Sequence, residues 1–281
     1  MEVTILASGS PLPTTTRGGQ SLAVRWDDEV VLIDCGPLCV ERLLESGFEL
    51  RDIETLFFSH QHMDHNASFF HFAITSWMYG RRQLTVYGPA GTEALLDSLE
   101  RIYRQDFEYR SEFGRPIEAV TDIGFDRVGE GFEAAGEAWT ATAMPVEHSI
   151  ETYAYRIEDG THAVVYSADT GQPEPLYDFA SGADILVQNC GVAPGGGAGS
   201  AVDRESFRQY RENNPPHPES PMAEQHCTPE QAATVGARAG VDTLVLTHLT
   251  PLRDTAAIER RASDVFDGEI HVASDGLTLT A

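Results

Sequence analysis

Short apolar runs separated by turn residues divide the chain into predicted strands and helices. Residues 3–7 are apolar and β-prone, and the stretches SLAVRW and EVVLID flank an Asp-Asp pair that suits a hairpin turn. Residues 37–46 predict a helix that ends at Gly47, and residues 55–58 predict a short buried strand. The chain therefore starts with antiparallel strands and continues with helices between strands.

The same alternation continues to the carboxyl end. Asn66 is predicted to cap a helix that stops at Gly80, and Thr92 to start a helix that ends near Arg104. Strands paired as hairpins, with helices between the later ones, predict an α/β fold: a four-layer α/β/β/α sandwich of two mixed sheets. Further predicted strands cover 139–146, 152–157, 162–167, 184–188 and 243–247, followed by two closing strands, and further helices cover 175–180, 229–239 (capped by Thr228) and 255–266.

One Gly/Pro-rich segment, roughly 191–225, interrupts the pattern. It contains GVAPGGGAGS, a charged stretch and NNPPHPESP. Such a long loop is usually functional or mobile, so we expect a substrate-facing lid, a dimer contact or a tolerated surface insertion. Nothing else divides the sequence, which predicts a single domain over residues 1–281.

The charge balance is strongly acidic. The chain has 44 Asp and Glu against 19 basic residues, all of them Arg, and its net charge is −25. An acidic surface without Lys is typical of a protein in a very salty cytoplasm, where salt screens self-repulsion. The alternative is that the acidity repels anionic partners such as nucleic acid. The sequence shows no membrane-spanning run and no secretory signal, so we expect a cytoplasmic protein.

The four cysteines do not suggest a zinc knuckle or a redox motif. Cys35, Cys39, Cys190 and Cys227 include no C-x-x-C pair. We therefore expect Cys35 and Cys39 to be buried free thiols, whereas Cys190 and Cys227 adjoin other residues of interest.

The strongest chemical signal is the motif SHQHMDH at residues 59–65, directly after an apolar strand. His60 and His62 are two residues apart and would point to one side of an extended loop. Asp64 and His65 would then turn toward a neighbouring point, which gives two sets of ligands. The alternative, a group of histidines held only by hydrogen bonds, explains this spacing poorly.

Three single residues at predicted strand ends supply further ligands: His148, Asp169 and His248. A lone His at a strand end is more often simply hydrogen-bonded. Three such positions behind a loop rich in His and Asp predict a site for two metal ions. Neutral imidazoles and carboxylates suit zinc best, although Mn²⁺ or Fe²⁺ can occupy such sites.

The motifs VLIDCG, SHQHMDH, EHSI, YSADT and LTHLTP, in this order over nearly the whole chain, resemble the metallo-β-lactamase superfamily. The resemblance implies one metal held by three histidines, a second held by one Asp and two His, a bridging Asp and a supporting Asp behind them. The first set is His60, His62 and His148; the second is Asp64, His65 and His248; Asp169 would bridge, and Asp34 would fix the histidine loop.

The resemblance also implies hydrolysis. A water shared by two dications loses its proton near neutral pH and attacks the substrate, while the ions stabilise the developing charge. Asp64 can orient this hydroxide and accept a proton.

Finer motifs resemble the ribonuclease Z and arylsulfatase-like branch of that superfamily. They are GSPLPTTTRGGQS, LTVYGPAGTEALLDSL, HSIETYAYRIED and AEQHCTPEQAATVGARAGVDTLVLTH. The resemblance implies that His226 lies over the metals and is catalytic. The alternative is that His226 is merely an exposed residue before the cap Thr228. Homodimers are usual in that branch.

Two departures bear on the substrate. The Glu that pairs with the catalytic His in ribonuclease Z is absent, because residues 188–191 read QNCG, and the segment 104–133 is too short and acidic for a basic tRNA-binding arm. We therefore expect hydrolysis of a phosphodiester or sulfate ester of a small molecule. The alternatives are a tRNA 3′-processing endonuclease and a non-catalytic zinc-binding protein. Arg17, Arg156 and Arg253 are candidates for gripping an anion.

Overall fold

The computed structural model describes residues 1–27, 29–172, 174–214 and 222–281, and its strands form two seven-stranded sheets. The first sheet, in spatial order, contains β14 (Leu277–Thr280), β1 (Glu2–Ala7), β2 (Ser21–Arg25), β3 (Val30–Ile33), β4 (Ile53–Phe57), β5 (Thr85–Gly88) and β6 (Gly124–Arg127). The second contains β13 (Glu269–Val272), β12 (Thr243–Thr247), β11 (Ile185–Asn189), β10 (Ala163–Tyr166), β9 (Thr152–Glu158), β8 (Thr140–Val146) and β7 (Glu133–Ala135).

Both sheets are mixed. Strands β14 to β3 pair antiparallel, whereas β3 to β6 pair parallel. In the second sheet β7 to β10 pair antiparallel and β10 to β13 pair parallel. The carboxyl ends of parallel strands share an edge, and ligand sites of α/β proteins lie at such edges.

The strands separate a central core from two outer cores. In β3, Val31 and Ile33 join the core between the sheets, whereas Leu32 joins the core under the helices of the first sheet. In β12, Val245 faces the centre and Leu244 faces the outer helices. This alternation follows from the two-residue period of a strand that is buried on both faces. The predicted four-layer α/β/β/α sandwich is confirmed.

Ten helices in the described residues lie outside the sheets or in the connections. They are α1 (Cys39–Glu45), α2 (Met63–Asn66), α3 (Phe69–Met78), α4 (Thr92–Ser111), α5 (Glu118–Thr121), α6 (Pro175–Phe179), α7 (Ala201–Asn213), α8 (Met222–Gln225), α9 (Pro229–Ala239) and α10 (Thr255–Ser263), and a 3₁₀ turn covers Leu50–Asp52. None of the helices in these residues is long and apolar enough to cross a membrane.

Three predicted helix boundaries are wrong, and one of them is the end of α10, which lies at Ser263 rather than at residue 266. Asn66 does not cap α3, because the loop 59–65 first forms α2 and Asn66 is the last residue of that short helix. The Nδ2 of Asn66 donates a hydrogen bond to Oε1 of Gln61. Helix α4 continues past Arg104 to Ser111 because Arg104 and Arg110 make i,i+4 ion pairs along its exposed face.

The segment predicted as a long loop contains helix α7. Ser200 accepts a hydrogen bond from the backbone N–H of Asp203, whose carboxylate accepts one from Ser200 N–H, so a capping box starts the helix. Residues 215–221 of the predicted insertion, and Asp28 of the predicted Asp-Asp turn, lie outside the described residues. Cys35 and Cys39 are buried and free, as predicted, and so are Cys190 and Cys227.

Candidate metal centre

The histidine and aspartate side chains predicted as ligands follow strand ends on one edge of the molecule. The motif 59–65 follows β4, His148 follows β8, Asp169 follows β10 and His248 follows β12. Asp34, which follows β3, has φ 58°, and His248 has φ 60°. These left-handed conformations cost energy for residues other than Gly and are kept where the surroundings require them.

Three imidazole rings form the first group. Nε2 of His60 lies 3.1 Å from Nδ1 of His62, and Nε2 of His148 lies 3.2 Å from the same Nδ1. Burial lowers the pKa of all three rings, so they are neutral and have lone pairs to offer. Nitrogens bound to a tetrahedral zinc at about 2.05 Å are about 3.3 Å apart, so the spacing suits a zinc ion.

The second group combines carboxylates with imidazoles. Nε2 of His248 lies 3.2 Å from Oδ2 of Asp64 and 2.9 Å from Oδ2 of Asp169. Nε2 of His65 lies 3.7 Å from Oδ2 of Asp64. Burial alone would raise the pKa of Asp169, but His248 and His65 lower it well below its ordinary value. The carboxylate is therefore ionised, as a metal ligand must be.

Asp169 lies between the two groups. Its Oδ2 is 3.9 Å from Nε2 of His60 and 4.0 Å from Nε2 of His148, which belong to the first group. The same oxygen is 3.4 Å from Nε2 of His65, in the second group. One carboxylate oxygen thus lies within 4.0 Å of imidazole nitrogens from both groups.

Asp34 holds the loop 59–65 through hydrogen bonds to Ser59 and His65. Its Oδ2 accepts hydrogen bonds from Nδ1 of His65 at 2.7 Å, from the hydroxyl of Ser59 at 2.7 Å and from the hydroxyl of Tyr166 at 3.0 Å. Its Oδ1 accepts the backbone N–H of Ser59 at 2.8 Å. This fixes the tautomer of His65 and leaves its Nε2 free toward the site.

The residues fit a bound cation. Oδ1 of Asp64, Nε2 of His65 and Oδ1 of Asp169 are buried without a hydrogen-bond partner among the described residues. A buried polar atom without a partner costs about 1–3 kcal/mol, and metal coordination would remove this cost. The ligand atoms within each group all lie within 4.8 Å of one another. The buried cluster is therefore a site for a divalent metal.

His226 lies over this cluster. Its ring stacks on His248 with centroids 4.9 Å apart and meets His148 at 5.3 Å. The side chain is only 6% exposed, so His226 is not the merely exposed residue of the alternative interpretation, although Thr228 does cap α9. Burial lowers the pKa of His226 to about 4.

Three supporting residues were not found from the sequence. Ser59 and Tyr166 donate to Asp34, and Asn189 accepts from His226 through its side-chain oxygen. Asn189 is the last residue of β11 and lies 37 positions before His226, so no local spacing pairs the two. Asn189 lies in the segment QNCG at residues 188–191.

Known proteins share both the sequence pattern and the fold. A family model described as "Beta-lactamase superfamily domain" matches residues 29–249. The ribonuclease Z of Mycobacterium bovis is 28% identical over 289 residues, which cover 98% of this chain and 96% of that protein.

Two solved structures show the same fold at low identity. The metallo-beta-lactamase fold protein YhfI from Bacillus subtilis matches with a TM-score of 0.76 and 20% identity, covering 99% of this chain and 98% of that one. The short form of human tRNase Z matches with a TM-score of 0.70 and 18% identity, covering 100% and 99%.

Proposed function

The chain belongs to the beta-lactamase superfamily, and from this premise we propose that it is a hydrolase that uses two zinc ions to cleave a phosphodiester or sulfate ester of a small molecule. One observation carries the proposal. Oδ2 of Asp169 lies within 4.0 Å of imidazole nitrogens from both groups, so this carboxylate oxygen lies between the two proposed ligand sets.

The donor set favours zinc at both positions. The first ion would be held by three neutral imidazoles, and the second by one carboxylate and two imidazoles, with a carboxylate between them. Bound zinc supplies Lewis acidity toward an ester oxygen and lowers the pKa of a water molecule. The first set would be His60, His62 and His148, the second Asp64, His65 and His248, and Asp169 would be shared.

Asp64 and His226 are the proposed catalytic groups. Oδ2 of Asp64 contacts His248, while its Oδ1 has no partner among the described residues and can orient a water molecule or accept a proton. His226 has its Nδ1 turned to Asn189, so its Nε2 is the nitrogen available to a substrate. At neutral pH the ring is uncharged, and Nε2 accepts a hydrogen bond or a proton.

A small ester suits this chain better than a long RNA. The segment 104–133, where a tRNA-binding arm would have to emerge, is taken up by the end of α4, by α5 and by β6, which pairs with β5. The net charge of −25 repels a polyanion at moderate ionic strength.

A ribonuclease Z-type endonuclease is the second candidate. It is favoured by the similarity to ribonuclease Z over 98% of the chain. The cleaved bond would be a phosphodiester, so this candidate differs from a small-molecule phosphodiesterase in the size of the substrate rather than in the chemistry.

The test combines zinc content with turnover at molar salt. We expect about two zinc ions per chain and metal-dependent cleavage of bis(p-nitrophenyl) phosphate or p-nitrophenyl sulfate. Asp169→Asn should lower turnover by about a hundredfold or more. The matched control is Asp184→Asn, since Asp184 also contacts a His (Nδ1 of His162, 3.2 Å) but lies outside the cluster.

Each outcome of this test decides something. Cleavage of precursor tRNA with no cleavage of either small ester would favour the second candidate. Two bound zinc ions with no turnover on any of the three substrates would contradict hydrolysis of these esters, and absence of bound metal after reconstitution would overturn the proposal.

A further inference from the structure

A cavity of about 460 Å³ lies beside the metal centre, where the Gly-rich segment meets the N-terminal loop. Thr250 lines this cavity and is two residues beyond His248, so their Cα atoms are at most about 7 Å apart. Thr250 thus brings one wall of the cavity close to a ligand of the second group, while the seven predicted ligands themselves do not line the cavity. Its walls come from residues 14–17, 198–203 and 250–255.

Two half-buried arginines line the cavity. Arg17 donates through Nη1 to the hydroxyl of Ser8 and to the carbonyl oxygen of Ala273. Arg253 donates to the hydroxyl of Thr250 and, at 2.6 Å, to the carbonyl oxygen of Ala193. No carboxylate oxygen of the described residues lies within 4.0 Å of either guanidinium group, although acidic residues outnumber Arg by 44 to 19.

The acidic groups nearby are already engaged. Asp203 also lines the cavity, but its oxygens accept the N–H and hydroxyl of Thr15 (2.8 and 2.9 Å) and the N–H of Ser200 (3.0 Å). The charge of Asp275 raises the pKa of Arg17. Asp275 itself accepts hydrogen bonds from the N–H and hydroxyl of Ser8, from the N–H of Gly18 and from Nε of Arg42.

Asp203 keeps its negative charge, but two guanidinium groups and one carboxylate line the cavity, so its net charge is positive. Burial lowers the pKa of Arg253, and the neighbouring Arg211 of α7 lowers it further. A guanidinium group remains charged despite such shifts. Two half-buried guanidinium groups that line one space, among hydroxyl groups, suit the binding of an oxyanion. The hydroxyls that line the cavity belong to Thr14, Thr15, Thr16, Ser200, Thr250 and Thr255.

The Gly-rich segment builds one wall of this site. The N–H groups of Gly196 and Gly197 donate to the carbonyl oxygen of Leu252, and the N–H of Asp254 donates to that of Pro194. A Cβ at Gly197 would lie 1.8 Å from the carbonyl oxygen of Arg253, so only Gly fits there. The GVAPGGGAGS run thus lets the chain pack against the backbone of Arg253.

We propose that this cavity binds an anionic group of the substrate, a phosphate, sulfate or carboxylate that is separate from the ester to be cleaved. The inference rests on the proposed function and adds to it that the substrate has a second oxyanion. A cavity of this volume holds one such group with a few attached atoms. A small molecule is favoured over RNA because the rest of the chain is acidic.

The test measures anion binding without turnover. Sodium phosphate, sodium sulfate and sodium acetate are titrated separately into the metal-free full-length chain by calorimetry, at constant ionic strength. We expect saturable binding of at least one anion, and Arg253→Gln should weaken it about tenfold. The anion bound most tightly identifies the chemical class.

The matched control is Arg156→Gln. Arg156 is half-buried and also donates to backbone carbonyl oxygens, those of Phe179 and Ser181, but it does not line the cavity. This variant should bind the anion as the wild type does. Arg253→Lys keeps the charge, and so it shows whether the forked guanidinium is needed even if Arg253→Gln unfolds.

Two results would overturn the inference: no saturable binding of any of the three anions, or equal binding by wild type, Arg253→Gln and Arg253→Lys. Tighter, Arg253-dependent binding of a short single-stranded RNA than of free phosphate would overturn the small-molecule assignment. Because the titrations contain no zinc, intact anion binding with no ester turnover would count against the hydrolase proposal alone.

Discussion

Nδ1 of His226 lies 3.2 Å from Oδ1 of Asn189. The amide nitrogen of Asn189 donates to the carbonyl oxygen of Thr170, which identifies Oδ1 as the atom that faces His226. An amide oxygen can only accept, so Nδ1 of His226 must carry the proton and Nε2 the lone pair. A neutral amide therefore sets the tautomer of a histidine that lies above the metal ligands.

Removing this contact should lower turnover without removing metal. In Asn189→Ala the ring of His226 loses the acceptor that orients it, and we expect kcat to fall by about 10–100-fold while zinc content stays at the wild-type value. Asn189→Asp keeps an acceptor for Nδ1 of His226 but loses the donor to the carbonyl oxygen of Thr170, so it separates the roles of these two contacts. Equal activity of wild type and Asn189→Ala would show that the contact has no role in turnover.

The first ligand group should hold one ion of the pair. His62→Ala removes the ring whose Nδ1 lies within 3.2 Å of both His60 and His148, so we expect zinc to fall from about two ions to about one per chain. His71→Ala is the control, because His71 is an exposed residue of α3 outside the cluster. Elemental analysis after dialysis measures both variants. An unchanged zinc content in His62→Ala would contradict this assignment.

Asp34 should control metal affinity without touching the metal. Asp34→Asn keeps the shape of the side chain but loses the charge that orients His65 and Ser59, and we expect zinc affinity to fall by about 10–100-fold. Competition with a chromophoric chelator measures this change. The variant Ser59→Ala removes only one of the hydrogen bonds to Asp34 and should have a smaller effect. A larger effect of Ser59→Ala would contradict the central role of Asp34.

Local sequence signals predicted the parts of the fold that local contacts determine. Helix α9 has the predicted bounds because Thr228 and Gln231 form a capping box, Pro229 occupies the first turn and Gly240 adopts φ 67° at the end. Helix α7 has the same kind of signal in Ser200 and Asp203. This signal was not recognised, because a Gly-rich run precedes α7 and most of the surface of α7 is exposed.

Contacts between residues that are far apart in the sequence could not be predicted. The motif 59–65 and the strand-end positions could be predicted, because strand ends that share an edge bring such residues together. The contact of Asn189 with His226 depends on how separate elements pack, and so does the presence of Arg17 and Arg253 in one cavity. The start of α3 was predicted incorrectly because the ligand loop forms α2 first, and local capping preferences do not report such a turn.

Asp203, which accepts hydrogen bonds from Thr15 and Ser200, should contribute stability to the fold that is lost in acid. Burial raises the pKa of Asp203, but hydrogen bonds from Thr15 and Ser200 lower it to about 2, below the ordinary value of about 3.9. A lowered folded-state pKa contributes stability that is full above about pH 4 and is lost as the pH falls toward 2. The free energy of unfolding of Asp203→Asn should therefore differ from wild type most at pH 6 and least near pH 2.5.

Urea unfolding at several pH values tests this expectation. Asp267→Asn is the control, because Asp267 is exposed and makes no hydrogen bond or ion pair with the described residues. Its difference from wild type should be small at every pH. A difference for Asp203→Asn that grows as the pH falls would have the wrong sign for this assignment.

The acidic surface makes stability depend on salt. With a net charge of −25, like charges repel across the folded surface, and the Debye length falls from about 10 Å at 0.1 M salt to about 3 Å at 1 M. We expect the Tm at pH 7.5 to rise by several degrees between 0.1 and 1 M KCl. At pH 5, near the pI of about 4.6, the net charge is much smaller and the rise should shrink. An equal rise at both pH values would assign the effect to salting-out of apolar surface rather than to screening, because only screening depends on the net charge.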